Sequence, residues 1–160
     1  MPFRLINEAI VRDVAAVAQN SSRRRSLYTF HDKNDDPVHR MLTVRMEDSY
    51  LRPHKHSDPD KVEVFIVLQG KLAVIGFADD GRVSEHVVIE AGKSPWGVEI
   101  PPGMWHTTID LEPETAVYTV VEGPWDPKTH KHFAEWAPEE SNREAGLALI
   151  GRIRQELMLY

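Results

Sequence analysis

The chain has no cysteine among its 160 residues, which excludes a disulfide framework and any thiolate metal site. It also lacks a long apolar run. The densest stretch, Val64-Phe65-Ile66-Val67-Leu68, falls far short of the ~20 residues a spanning helix needs. Near the N-terminus Glu8, Arg12 and Asp13 interrupt any apolar segment, so neither a signal peptide nor a membrane anchor is expected there. An excess of positive charge is missing too. Lys plus Arg number 19 and Asp plus Glu 25, and the resulting formal charge of −6 disfavours a nucleic-acid or anionic-membrane surface. There is no phosphate loop, dinucleotide fingerprint or Ser/His/Asp order, and no repeat, linker or low-complexity tract. What remains is one domain over residues 1–160, long enough for a real core. Its expected setting is cytoplasmic, and its expected partner is a small molecule.

Histidine is what the chain does have. His54 and His56 are spaced so that on a strand they point to one face. Glu63 follows at the head of the apolar run that ends at Gly70, and further on Pro101-Pro102-Gly103 forms a tight bend. That bend aims the next strand so that His106 enters the same cavity. Three imidazoles and one carboxylate can converge on one divalent transition metal, and they suit Zn, Mn, Fe or Ni better than Ca or Mg. Asp58 and Asp60 are alternative oxygen donors, but they sit on a loop, a poorer place for a ligand than a strand. A second pair, His130 and His132, follows Pro127-Lys128-Thr129 with Lys131 between them. It reads as flexible, exposed and outside the site. His86, among charged neighbours, reads as exposed.

Patterning places a helix after Asn7, which can cap it, with Ile10, Val14 and Val17 as the stripe that covers a barrel. Strands are expected over 38–46, 50–56, 63–68, 71–77, 83–89, 96–100 and 116–122, with another carrying His106. In the first, Leu42 and Val44 share one face and Met41, Thr43 and Arg45 the other; Lys55 faces away from His54 and His56. Residues 63–68 are apolar on both faces below Glu63, which predicts a strand covered on both sides. Leu147, Ile150, Ile153 and Leu157 make residues 145–159 an amphipathic helix that packs on the barrel or on a second copy in a homodimer. Many short strands with helices confined to the ends predict a mainly β fold, an antiparallel double-sheet jelly roll. Its parts are a helical and basic lead-in over 1–31, a barrel over 38–122 and a C-terminal extension with a helix over 123–160.

The segment from Arg52 to Gly70, RPHKHSDPDKVEVFIVLQG, resembles the first cupin motif, and PPGMWHTTID the second. Glu63 to Gly70 and Pro101-x-Gly103-x-x-His106 match in spacing. Asp48 stands where the motif has a leading Gly, six residues separate His56 from Glu63 where three or four are usual, and Asp110 replaces Asn. Ser21-Ser22-Arg23-Arg24-Arg25, Tyr28, His31, residues 36–42 and Glu122-Gly123-Pro124-Trp125-Asp126-Pro127 are similar to the WbuC-type cupins, as is the six-residue spacer. That resemblance implies a small bacterial metal-binding cupin linked with O-antigen gene clusters. It also raises Arg23, Arg25 and Tyr28, with His31 beside them, from a solvated basic turn to candidate substrate-binding residues. An Arg fork there would pair with a carboxylate or phosphate.

Two functions follow. One is a metal-dependent enzyme, of isomerase/epimerase-like or oxygenase-like type, acting on a small polar and sugar-derived substrate in surface-polysaccharide metabolism. The other is a non-catalytic cupin that binds a metal and a small ligand to sense or regulate.

Overall fold

A computed structural model describes residues 3–160. In chain order it contains α1 (Glu8–Asn20), β1 (Arg25–Thr29), β2 (Val38–Met46), β3 (His54–Lys55), β4 (Glu63–Gln69), β5 (Lys71–Phe77) and β6 (Val83–Glu90). There follow β7 (Gly97–Ile100), β8 (Trp105–Asp110), β9 (Glu114–Glu122), β10 (His132–Phe133) and α2 (Arg143–Glu156). The strands form two antiparallel five-stranded sheets, ordered β1-β2-β9-β4-β7 and β10-β3-β8-β5-β6. This is the expected mainly β jelly roll with a helix at each end. No helix among the described residues is long and apolar enough to cross a membrane.

Period-two alternation builds the layers. Phe65, Val67 and Val117 of the first sheet meet Leu72, Val74 and Ile89 of the second and close one end of the sandwich with an apolar plug. Leu42 and Val44 point the other way and are covered by α1 through Val11, Val14, Ala15 and Ala18. Asn7 caps that helix, its side chain accepting from the Ile10 amide. Ala73, Ile75, Phe77 and Ile109 face outward from the second sheet and are covered by Ile150 and Ile153 of α2. The order through the molecule is therefore α1, first sheet, second sheet, α2.

Several expectations are corrected. Val17 is 59% exposed, and α1 seats on the 11-14-15-18 row instead. The alanines there let the helix approach closely, a seat that weighting by side-chain size hides. The outer face of β4 is open rather than covered, with Ile66 and Leu68 about two-fifths exposed. The strand expected over 50–56 shrinks to two residues, and the chain before it is held by individual bonds such as Thr107 Oγ1 donating to the Leu51 carbonyl. Neither β1 nor β10 was expected, and β10 contains His132. The C-terminal helix runs over Arg143–Glu156 and packs on the barrel, as one of the two readings had it.

Candidate metal centre

His54 lies on β3, His56 one residue beyond Lys55 at the end of that strand, His106 on the neighbouring β8, and Glu63 at the start of β4 in the opposite sheet. His54 and His106 are direct register partners. The bend before β8 works as the sequence implied: Gly103 takes φ +75° and donates its amide to the His56 carbonyl at 2.9 Å, tying both histidine segments together. All four side chains are buried, and their ligand atoms lie within 4.8 Å of one another. Neither Asp58 nor Asp60 joins this group.

The orientation of the rings is fixed by what accepts from them. His54 Nδ1 lies 3.0 Å from the Arg52 carbonyl, His56 Nδ1 2.5 Å from the His130 carbonyl, and His106 Nδ1 2.9 Å from the Met104 carbonyl. A carbonyl only accepts, so each ring donates from Nδ1, and in its neutral form presents a lone pair on Nε2. These three lone pairs face Glu63. Its Oε2 is 3.2 Å from Nε2 of both His56 and His106, and His54 Nε2 is buried without any partner. Burial pushes the Glu63 carboxyl up, but hydrogen bonds and charge from His106 and His56 in their protonated forms outweigh it and hold the group well below the usual carboxylate range. His54 is held well below the ordinary histidine value, first by burial and then by the nearby Lys131 charge, and is neutral at pH 7. Protons on His56 and His106 would relieve two of the contacts and leave His54 Nε2 unpaired. One divalent cation satisfies all four donors, so the residues fit a metal.

Beside the cluster, between the two sheets, lies a cavity of about 710 Å³ bounded at its edge by β1 and by the chain running into β10. That is the volume of a small-molecule site. Arg23 and Arg25 both line it, and both are engaged by Glu140: Arg23 Nη2 at 2.9 Å and Arg25 Nη2 at 2.6 Å. Arg25 also donates to the Tyr50 carbonyl at 2.7 Å. Burial lowers its guanidinium to about 10, against the pull of Glu140. His31 lines the cavity and stacks on His39 with ring centroids 4.1 Å apart. Tyr28 does not line it. As the register partner of Leu42 it lies on the other face of β1, its ring edge-on to Phe30 at 5.0 Å.

The expectation for the second histidine pair fails in its structural part. His130 and His132 are half-buried, His132 belongs to β10 paired with β3, and the His130 ring is 5.0 Å from that of His56. Burial lowers His130 to about 3. Three further cavity residues escaped sequence reading as site residues. Arg45 reaches Asp110 with Nε at 3.1 Å from Oδ2, while its buried Nη2 has no partner. Burial nevertheless pushes the Asp110 carboxyl up. Lys131, lowered to about 8 by burial, also faces the cavity, as does Glu140. Alternation did place Arg45 with Met41 and Thr43 opposite the buried Leu42 and Val44; nothing in the sequence marks Lys131 or Glu140.

A family model described as "Domain of unknown function (DUF6016)" matches residues 6–89. No curated protein sequence matches the chain. Among solved structures, the capsular polysaccharide assembling protein CapF from Staphylococcus aureus superposes with a TM-score of 0.60 at 21% identity. That match covers 72% of this chain but only 33% of CapF, so the chain spans about a third of that protein's length. An oxalate oxidase in complex with the substrate analogue glycolate superposes with a TM-score of 0.53 at 16% identity, covering 72% of this chain and 57% of the other. At these identities the likeness is one of fold, the cupin jelly roll.

Proposed function

The chain belongs to the family described as "Domain of unknown function (DUF6016)", and from that footing we propose that it is a metal-dependent cupin enzyme of WbuC type acting on a small polar ligand. The observation that carries this reading is the set of three Nδ1–H···O=C bonds, which turn three Nε2 lone pairs onto one ionised carboxylate. His54, His56, Glu63 and His106 would hold one Zn, Mn, Fe or Ni ion. Bound there, the ion would act as a Lewis acid towards a ligand oxygen or lower the pKa of a water. The protein's own part is to fix the three imidazoles by the carbonyls behind them and to seat the ligand in the adjoining cavity. The His130 carbonyl fixes His56.

The cavity suits a sugar-sized ligand by volume. CapF, a capsular polysaccharide assembling protein that shares the fold, agrees with a role in surface-polysaccharide metabolism. Arg23 and Arg25 contribute by holding Glu140 at the cavity wall. The test is elemental analysis of protein prepared without chelators, followed by reloading of stripped protein. Close to one transition-metal ion per chain is expected. A chain that neither holds nor takes up Zn, Mn, Fe or Ni would remove the basis of the reading.

A further inference from the structure

Four cations border the cavity: Arg23, Arg25, Arg45 and Lys131. Three have carboxylate partners. Arg23 and Arg25 share Glu140, and Arg45 binds Asp110 through one edge of its guanidinium. Lys131 makes no ion pair among the described residues, yet it is half-buried and open to the cavity. The charges that act on it are those of Glu63, Arg25, Glu140 and Arg23. Glu63 is already committed to the histidine cluster. If that cluster holds a divalent ion, Lys131 shares the cavity with a dication and with two arginines that share a single carboxylate. A desolvated ammonium in that position is costly unless an anion joins it. The second free donor is Arg45 Nη2, buried and without partner. Arg45 is the register partner of Arg25, so both side chains enter from adjacent strands. Neutral polar groups, Thr43 and Thr119, line the wall between these cations and Glu63.

Resting on the metal reading above, we infer that the cavity takes an acidic, monosaccharide-sized ligand. Its oxyanion group, carboxylate or phosphate, is held by Lys131 and the free edge of Arg45 while a hydroxyl or carbonyl oxygen reaches the histidine cluster. The arginines at the mouth, Arg23 and Arg25, are then positioning residues for Glu140, and the charge that selects the ligand lies deeper.

The experiment is calorimetric titration of the zinc-loaded protein with glucuronate, glucose 6-phosphate and glucose. At least one acid should bind about tenfold or more tightly than neutral glucose, the size of one charge-assisted hydrogen bond. The acid that carries the preference names the oxyanion. Lys131→Met should abolish the preference and Lys131→Arg keep it, with zinc content unchanged in both. Arg45→Met is made together with Asp110→Asn, so that no buried charge is left unpaired, and should weaken the preference. Equal binding of acid and glucose, binding of none of the three, or an undiminished preference in Lys131→Met would overturn the inference. Metal-free protein is titrated in parallel. If wild type takes up no zinc, the metal reading falls by itself, and the acid preference is still scored on the metal-free chain through Lys131→Met.

Discussion

At the scale of single residues, what makes the centre is the direction of the histidine lone pairs. A carbonyl behind each ring decides that direction, and two of the three carbonyls lie two residues upstream of the ring they orient: Arg52 behind His54 and Met104 behind His106. The third comes from His130, far away in sequence. Groups that hydrogen-bond the far side of a ligating ring typically tune metal affinity by about 10- to 100-fold. Loss of a ligand itself, in His54→Ala, His56→Ala or His106→Ala, should therefore cost more than that. His130→Ala keeps the carbonyl that orients His56 and should leave affinity within a few-fold, even though the ring lies against the cluster. Glu63→Gln should fall between, because an amide still offers an oxygen but no charge. Metal titrations on these variants check the ranking, and an essential His130 side chain would contradict the assignment. The clustering of these side chains was legible because alternation puts His54 and His56 on one face and the Pro-Gly bend delivers His106. His130 was not, because it acts through its backbone, which no residue type advertises.

At the scale of elements, the cavity edge is built from pieces that carry little pattern. β10 and β3 are two residues each, too short for periodicity to register, and they are held by pairing with each other and with β8. The segment before α2 is pinned by Glu140 against Arg23 and Arg25 and by the Tyr50 hydroxyl donating to the Pro138 carbonyl at 2.8 Å. The long strands and both helices were readable from their 2.0 and 3.6 periods, which arise from packing against an extended layer. The edge segments satisfy local bonds instead, and a sequence does not show which carboxylate will find Arg25. Burial raises the Glu140 carboxyl, but Arg25 and Arg23 outweigh it and place the group below its ordinary 4.5. A carboxyl with a lowered folded value binds fewer protons folded than unfolded. Its contribution is thus fully present above pH ~4.5 and is lost as pH falls through the folded value. Glu140→Gln should flatten that acid limb of the stability–pH curve and leave the slope above pH ~5 unchanged, as denaturant unfolding from pH 3 to 7 will show. An unaltered acid limb would mean the triad contributes nothing to holding the segment.

At the scale of the whole molecule, the centre is a clamp between layers. His54 and His106 belong to the second sheet, His56 follows directly on its β3, and the one carboxylate belongs to the first sheet. The sheets also meet through the apolar plug around Phe65, Val67, Leu72 and Val74 and through the Arg45–Asp110 pair, so at Glu63 their joining depends on what links it to the histidines. An ion that binds the folded chain alone stabilises it by mass action, about 4 kcal/mol when its free concentration is a thousand times Kd. Stripping the metal should therefore lower the melting temperature, and readdition should restore it. The clamp makes a sharper claim than mass action alone. Amides of β4 near Glu63 and of β3 and β8 near His54 and His106 should lose hydrogen-exchange protection on stripping. Those of β5 and β6, joined to each other through seven register pairs and carrying the plug residues Leu72, Val74 and Ile89, should keep theirs. In Glu63→Gln the three histidines still hold an ion on the side of the second sheet, so protection near β8 should survive while that of β4 falls. Uniform loss across both sheets would instead show that the ion supports global stability without bridging the layers.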